Sequence, residues 1–221
     1  MTTRTVNLCF HGIGAPDRDL EPGEAPYWIS ADLFHAVLDT VVGRDDVRLS
    51  FDDSNSSDLE IGLPALLDRG LRGTFFVLAG RFDSRGSLDE DQVRLLAESG
   101  MDIGTHGMDH LPWRGLDEAA RRRELVEARD AIAAVVGRPV DEAALPLGRY
   151  DRSLLRELRA LGYAKVHTSD RAHARASSWL QPRFSLVGTD TVTGVQEEVL
   201  GRQPVRRRAE RAVIGLAKRL R

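Results

Sequence analysis

Four side chains dominate the chemistry open to this sequence: Asp52 and Asp53, adjacent to one another, and His106 and His110 further along. One carboxylate and two imidazoles form a donor set suited to a divalent metal, zinc above all, in sites that keep a position open for water or substrate. A second carboxylate beside such a site is free to act as a base, and the combination points to metal-assisted hydrolysis. Neither pair says this alone. Adjacent aspartates also suit a strand-end turn or a helix cap, and His106 and His110 lack the Glu that marks the metalloprotease helix motif. Their joint occurrence, each pair following a strand, carries the reading.

The strands and turns that carry these residues are legible around them. Residues 47–51 alternate as a half-buried strand does, which would carry both aspartates to the strand's C-terminal edge, where open α/β sheets and barrels build their sites. Successive side chains on a regular strand point oppositely, so the strand has to end at or between the two acids, and Ser54 and Asn55 are turn formers that allow it. Residues 104–110 follow another short strand, and His106 and His110 share a face if that segment turns helically.

The same alternation runs through the chain. Strands are expected at 5–10, 47–51, 73–78, 101–105, 142–146, 164–168 and 183–187, and helices near 31–42, 58–69, 89–99, 117–136, 152–161 and 196–219. Asp89 precedes one helix and Gly100 ends it, Gly70 closes another, and Gly137 with Pro139 stops the long charged one. Seven strands with intervening helices describe a single α/β domain, a parallel barrel or strongly curled sheet.

With 221 residues, 42% hydrophobic and 29% charged, the chain has the composition of a soluble globular protein. No apolar run approaches the roughly 20 residues of a membrane span. A single cysteine, Cys9, excludes an internal disulfide and reads as a small buried hydrophobe. With no export-type segment at the N-terminus, a cytoplasmic location is the expectation. The net charge of −3 is uneven, because residues 202–221 hold eight Arg or Lys and one Glu, leaving the remainder near −10. In that tail Val205, Ala209, Ala212, Val213, Leu216 and Leu220 recur at helical spacing. The division expected is therefore a barrel over 1–200 and a basic amphipathic helix over 201–221, packed on the body or touching anionic lipid headgroups. Nucleic acid is not an expected partner, since the body lacks basic-aromatic interleaving.

Read as motifs, residues 50–54 (Ser-Phe-Asp-Asp-Ser) resemble T-F-D-D-G and residues 105–110 resemble S/T-H-x-x-x-H of the polysaccharide deacetylases, the carbohydrate esterase family four group with the nodulation-type deacetylase domain. Residues 73–77 are similar to that family's A-T-F-F-V strand and residues 145–150 to its P-Y-G segment, so the likeness spans roughly 6–187. The resemblance implies a distorted (β/α) barrel of about seven strands that removes acetyl groups from N-acetylated sugars. It implies Asp52 as general base, Asp53, His106 and His110 as ligands of a divalent metal, most simply Zn2+, and the backbone N–H of Leu147 as a donor to the tetrahedral oxyanion. An N-acetylated saccharide, free, lipid-linked or polymeric, is the implied partner.

Departures from the pattern are specific. Ser54 replaces a glycine, so its backbone must avoid a glycine conformation or accept strain. The arginine that orients the base falls at Ala144, and no histidine after residue 173 matches the family's general acid. His11, ending the first strand, resembles instead the circularly permuted branch acting on poly-β-1,6-N-acetylglucosamine, which implies His11 as the acid; a strand-end histidine bonded to a carbonyl is the ordinary reading. Arg183 could reach Asp52 as a substitute charge partner or lie exposed. Trp113 and Tyr150 could stack on a sugar or pack in the core. His35, His167 and His173 read as packing or satisfied histidines. The competing readings are a degenerate barrel that binds glycan or a partner without turnover, and an amidase or imidase on a non-sugar substrate.

Overall fold

A computed structural model describes residues 4–201 of the chain. Its strands are β1 (Arg4–Phe10), β2 (Gly12–Ile13), β3 (Trp28–Ile29), β4 (Val47–Phe51), β5 (Gly73–Val77), β6 (Asp102–Thr105), β7 (Glu142–Ala144), β8 (Lys165–Thr168), β9 (Ala174–Arg175), β10 (Leu180–Pro182) and β11 (Phe184–Ser185). The main sheet runs β10-β8-β7-β6-β5-β4-β1-β11 with every neighbour on that path parallel, while β9 adds antiparallel to β1. β10 and β11 are consecutive pieces of one run, residues 180–185, of which the first pairs with β8 and the second with β1. That run brings the two ends of the sheet together in a nearly closed single-domain barrel.

Two faces with opposite chemistry follow from the period-2 alternation. The outward set, including Val6, Leu8, Phe10, Phe51, Phe75, Val77 and Phe184, packs on Phe34, Val37, Leu38, Leu66 and Leu96 of the surrounding helices. Phe10, Phe51 and Phe75 stack in series, with centroids 5.3 and 4.5 Å apart. A second cluster of Ala143, Val166, Leu125, Leu158 and Tyr163 covers β7 and β8. The registers Cys9↔Ser50, Ser50↔Thr74, Thr74↔Asp102, Ala144↔His167 and His167↔Gln181 place a predominantly polar set on the other face. The barrel interior is therefore polar rather than filled with aliphatic layers. Phe76 is its large apolar member. Its ring meets the Arg183 guanidinium at 5.2 Å and the His167 ring at 4.8 Å, and Gly104 beside it has no room for a side chain, since a Cβ would come within 2.5 Å of that ring.

The expected strands and helices are present with small shifts. Asp89 and Gln92 form a reciprocal capping box, and Gly137 ends the long helix in the left-handed region, φ 66°. Three expectations need correction. The strand expected at 183–187 is present as β11 but is preceded by β10, residues 180–182, which was not expected; residues 106–110 are not helical; and the last described helical stretch starts at Val192 rather than 196, its expected end lying outside the described residues. The two-residue strands β2, β3 and β9 carry too little periodicity to be read in sequence. The predicted basic helix over 201–221 lies, beyond Gly201, outside the described residues. No helix among the described residues is long and apolar enough to cross a membrane.

Candidate metal and catalytic site

At the C-terminal ends of the strands a cavity of about 360 Å³ is lined by His11, Asp52, Asp53, His106, His110, Leu147 and Arg183, together with Glu21, Glu24 and Tyr27. All six residues singled out as candidate site residues therefore meet in one place.

The turn after β4 does what two adjacent carboxylates require. The strand stops at Phe51, and Asp53 and Ser54 take left-handed backbones, φ 73° and 57°, so both acids enter the cavity. Ser54 accepts the strain of a glycine-like conformation, and its Oγ accepts a hydrogen bond from Leu78 N–H at 2.8 Å.

His106 and His110 come together through a bent loop, not a helix, with Gly107 at φ 92° and His110 at φ 55°. Glu124, fully buried, builds that loop: its carboxylate accepts from the N–H groups of Met108 and Asp109 at 2.8 and 3.0 Å and from the Trp113 indole at 3.2 Å. A side chain at Gly107 would collide with the same carboxylate. Trp113 thus belongs to the core, and so does Tyr150, 2% exposed, whose hydroxyl donates to Asp170 at 2.6 Å. Neither lines the cavity; Tyr27 is the aromatic that does.

Asp53, His106 and His110 bring one donor atom each to within 4.8 Å of the others. Nε2 of His106 and Nε2 of His110 stand 3.4 and 3.3 Å from Asp53 Oδ1, close to the spacing of roughly 3.3–3.5 Å that ligands at ~2.0–2.2 Å from a tetrahedral ion impose. Tautomers agree with that role. His106 Nδ1 faces the Ala144 carbonyl at 2.9 Å and His110 Nδ1 faces Glu21 Oε2 at 2.6 Å, so each Nδ1 donates outward and each Nε2 is the nitrogen left to offer a lone pair to a cation. Asp53 Oδ1 is buried with no hydrogen-bond partner among the described residues. Converging lone pairs around an unsatisfied buried carboxylate fit a cation. The field there shows in the titration: burial alone would lower the basicity of His106, yet Asp52 and Asp53 raise it, and Asp53 is held low against burial by the imidazoles beside it, His106 first.

Asp52 is held differently. Arg183, 2% exposed, donates to both its oxygens at 2.7 and 2.6 Å and to Ser50 Oγ at 3.1 Å. Burial by itself would raise the Asp52 carboxyl; the guanidinium outweighs it and brings the pKa down to about 2. Of the two placements open for Arg183, the structure has the buried one. Arg183, between β10 and β11, thereby sets a cation against Asp52 where Ala144 offers none, and Asp52 Oδ2 stays 3.8 Å from His106 Nε2.

His11 sits against the Tyr27 ring, centroids 4.8 Å apart, and its Nδ1 is buried without a hydrogen-bond partner among the described residues; it is not the carbonyl-bonded histidine of the ordinary reading. Burial lowers its basicity, opposed by Asp53 and Asp52. Cys9, His11 and Asp52 also approach within 4.8 Å, but Arg183 already holds both Asp52 oxygens and burial raises the Cys9 thiol, so this group is less suited to a cation than Asp53, His106 and His110. Cys9 is buried as expected, though it faces the polar interior. Leu147 has a left-handed backbone, φ 54°, on the cavity wall. His167 lies in the barrel, its Nε2 2.9 Å from Glu142, and His173 Nε2 lies 2.8 Å from the Val199 carbonyl.

Sequence reasoning missed Glu21, Arg81 and Glu124. Arg81 pairs with Glu21 and donates to the Asp53 carbonyl at 3.2 Å. All three act across long stretches of chain, and no local pattern marks them.

A nearly closed parallel barrel with a metal-competent Asp/His/His set at its C-terminal strand ends defines the class of protein. Residues 40–166 match the family model described as polysaccharide deacetylase; the chain belongs to that family. It is 25% identical over 124 residues to the deacetylase-type protein YxkH of Bacillus subtilis (strain 168), which covers 56% of this chain and 44% of that relative. This chain therefore spans less than half the length of that relative. Among solved structures it is similar in fold to the deacetylase PplD of Streptococcus pyogenes, in complex with acetate, with TM-score 0.75, 18% identity and coverage of 90% of this chain and 99% of that one. IcaB from Ammonifex degensii gives TM-score 0.67, 22% identity and coverage of 87% and 95%.

Proposed function

We propose that the chain is a metal-dependent hydrolase that removes N-acetyl groups from an amino sugar in a glycan, glycolipid or sugar-linked precursor. Asp53, His106 and His110 hold the ion, taken as Zn2+, and Asp52, His11 and the backbone N–H of Leu147 perform the chemistry. The observation that carries the reading is the separation of the two adjacent carboxylates: Asp53 Oδ1 is buried without a hydrogen-bond partner between the Nε2 atoms of His106 and His110, while Asp52 is kept ionised by Arg183 beside them. Family membership and the fold shared with PplD and IcaB support it.

A divalent ion at the three ligands supplies Lewis acidity toward the acetamide carbonyl and toward water. Asp52 accepts the proton of the attacking water as its oxygen bonds to the carbonyl carbon. Leu147 N–H donates to the oxygen on which negative charge gathers. His11, as imidazolium, gives its proton to the nitrogen as the C–N bond breaks, releasing acetate and the amine. Burial works against the charged form of His11, while the neighbouring Asp53 and Asp52 favour it.

The test is acetate release from N-acetylated hexosamines and their oligomers by chelator-stripped and Zn2+-restored protein. Release that appears only with metal is expected. No acetate from any acetylated amino sugar by fully loaded protein would leave a binding barrel, and release from small imides instead would shift the substrate class.

A further inference from the structure

Glu21 lies on the segment between β2 and β3, which also brings Pro22, Gly23, Glu24 and Tyr27 to the cavity wall. Its carboxylate is divided between two partners. Oε2 accepts from Nδ1 of His110, and Oε1 from the guanidinium of Arg81, which also donates to the carbonyl of Asp53. One anion and one cation thus brace two of the three candidate ligands, both of which have left-handed backbones. Left-handed residues persist only where their surroundings hold them, and this brace is part of that hold. The segment is pinned a second time to the same turn: Arg18 pairs with Glu24 and donates to Asn55 Oδ1 at 3.1 Å through Nε, and Glu24 accepts from Glu21 N–H at 2.8 Å and from the Trp28 indole at 3.2 Å.

We infer that Glu21 is a positioning residue that couples the metal centre to the wall of the substrate cavity. It fixes the tautomer and ring orientation of His110 from outside the ligand set, and a cation drawing on the His110 lone pair strengthens the same hydrogen bond that anchors the wall segment. Ion binding and ordering of residues 14–29 are then one linked event, and by reciprocity whatever orders the segment tightens the ion. The inference rests on the metal reading above but not on turnover.

The test is Glu21→Gln, which keeps the side chain's size and removes its charge. In the wild type, Zn2+ should protect residues 14–29 from hydrogen exchange; in Glu21→Gln that protection should be lost and Zn2+ affinity, by competition with a chromophoric chelator, weakened about 10- to 100-fold, the range for partners of metal-bound histidines. Glu21→Asp should restore part of both. Asp17→Asn is the control on the same segment, since Asp17 pairs with exposed Arg85, and it should change neither. If Glu21→Gln lowers the melting temperature of the metal-free protein, Arg81→Gln breaks the brace from its other end and should weaken Zn2+ in the same direction. Equal Zn2+ affinity and equal exchange in wild type and Glu21→Gln would overturn the inference. Because acetate is not the readout, a chain that holds Zn2+ yet deacetylates nothing would fail the functional proposal while leaving this one to the affinity ratio.

Discussion

The two ends of the barrel use similar residues to opposite effect. At the N-terminal end, a cavity of about 240 Å³ is lined by Asn7, Glu142, Lys165, His167 and Gln181. There the polar groups answer one another: Lys165 and His167 donate to the two Glu142 oxygens at 2.7 and 2.9 Å, and Asn7 donates to Gln181 at 3.0 Å. At the C-terminal end, Asp53 Oδ1 and His11 Nδ1 are buried without partners among the described residues, and Asp53, Ser54, His110 and Leu147 all have left-handed backbones. Barrel enzymes place chemistry at the C-terminal face and stability at the other, and the difference shows how to tell them apart. Charge is present at both ends, whereas unspent hydrogen-bonding capacity held on strained backbone is concentrated at one. His167 Nδ1, buried without a partner, is the departure at the quiet end.

Substitutions at the two ends test that contrast. The largest effect is expected from Asp52→Asn, which should lower kcat for acetate release by about 10²–10⁴-fold, the usual worth of a general base, with bound Zn2+ retained on elemental analysis. Undiminished turnover would remove Asp52 from the chemistry. Arg183→Met leaves the Asp52 carboxylate buried and uncompensated, and it should cost about 3–5 kcal/mol of stability, read from urea unfolding at pH 7. A cost near zero would mean that the pair is dispensable to the fold. The smallest effect belongs to the other end. Glu142 is drawn down to about 2 by His167 and Lys165 against its burial, from an ordinary 4.5. Its contribution is therefore fully present above about pH 4.5 and is lost as pH falls through about 2. Glu142→Gln should flatten the pH dependence of the urea midpoint between those values while leaving acetate release unchanged. A change in turnover would show that the two ends are coupled through Phe76, which touches both Arg183 and His167.

Most of the candidate site was readable because its signals are local. Asp52 and Asp53 abut a strand, His106 and His110 fall within a few residues, and Ser54-Asn55 announces the turn. The manner of assembly was less so: the two histidines share a site through a left-handed residue and a buried glutamate, not through helical periodicity. Trp113 and Tyr150 follow chemically suggestive segments, but their polar atoms are bonded inside the core, a decision made by partners such as Glu124 that sequence proximity does not reveal.

By itself, then, the sequence determined the α/β alternation, the strand ends that carry chemistry and the residue types available there, because strand period, turn formers and helix caps act over a few residues. Which charges meet depends on long-range packing. Arg183 finds Asp52 because closing the barrel sets the last strand beside β1, and Glu21 finds His110 because a loop folds across strand ends far from it in the chain. Such contacts depend on how the sheet closes, and closure is a property of the whole set of strands rather than of any segment.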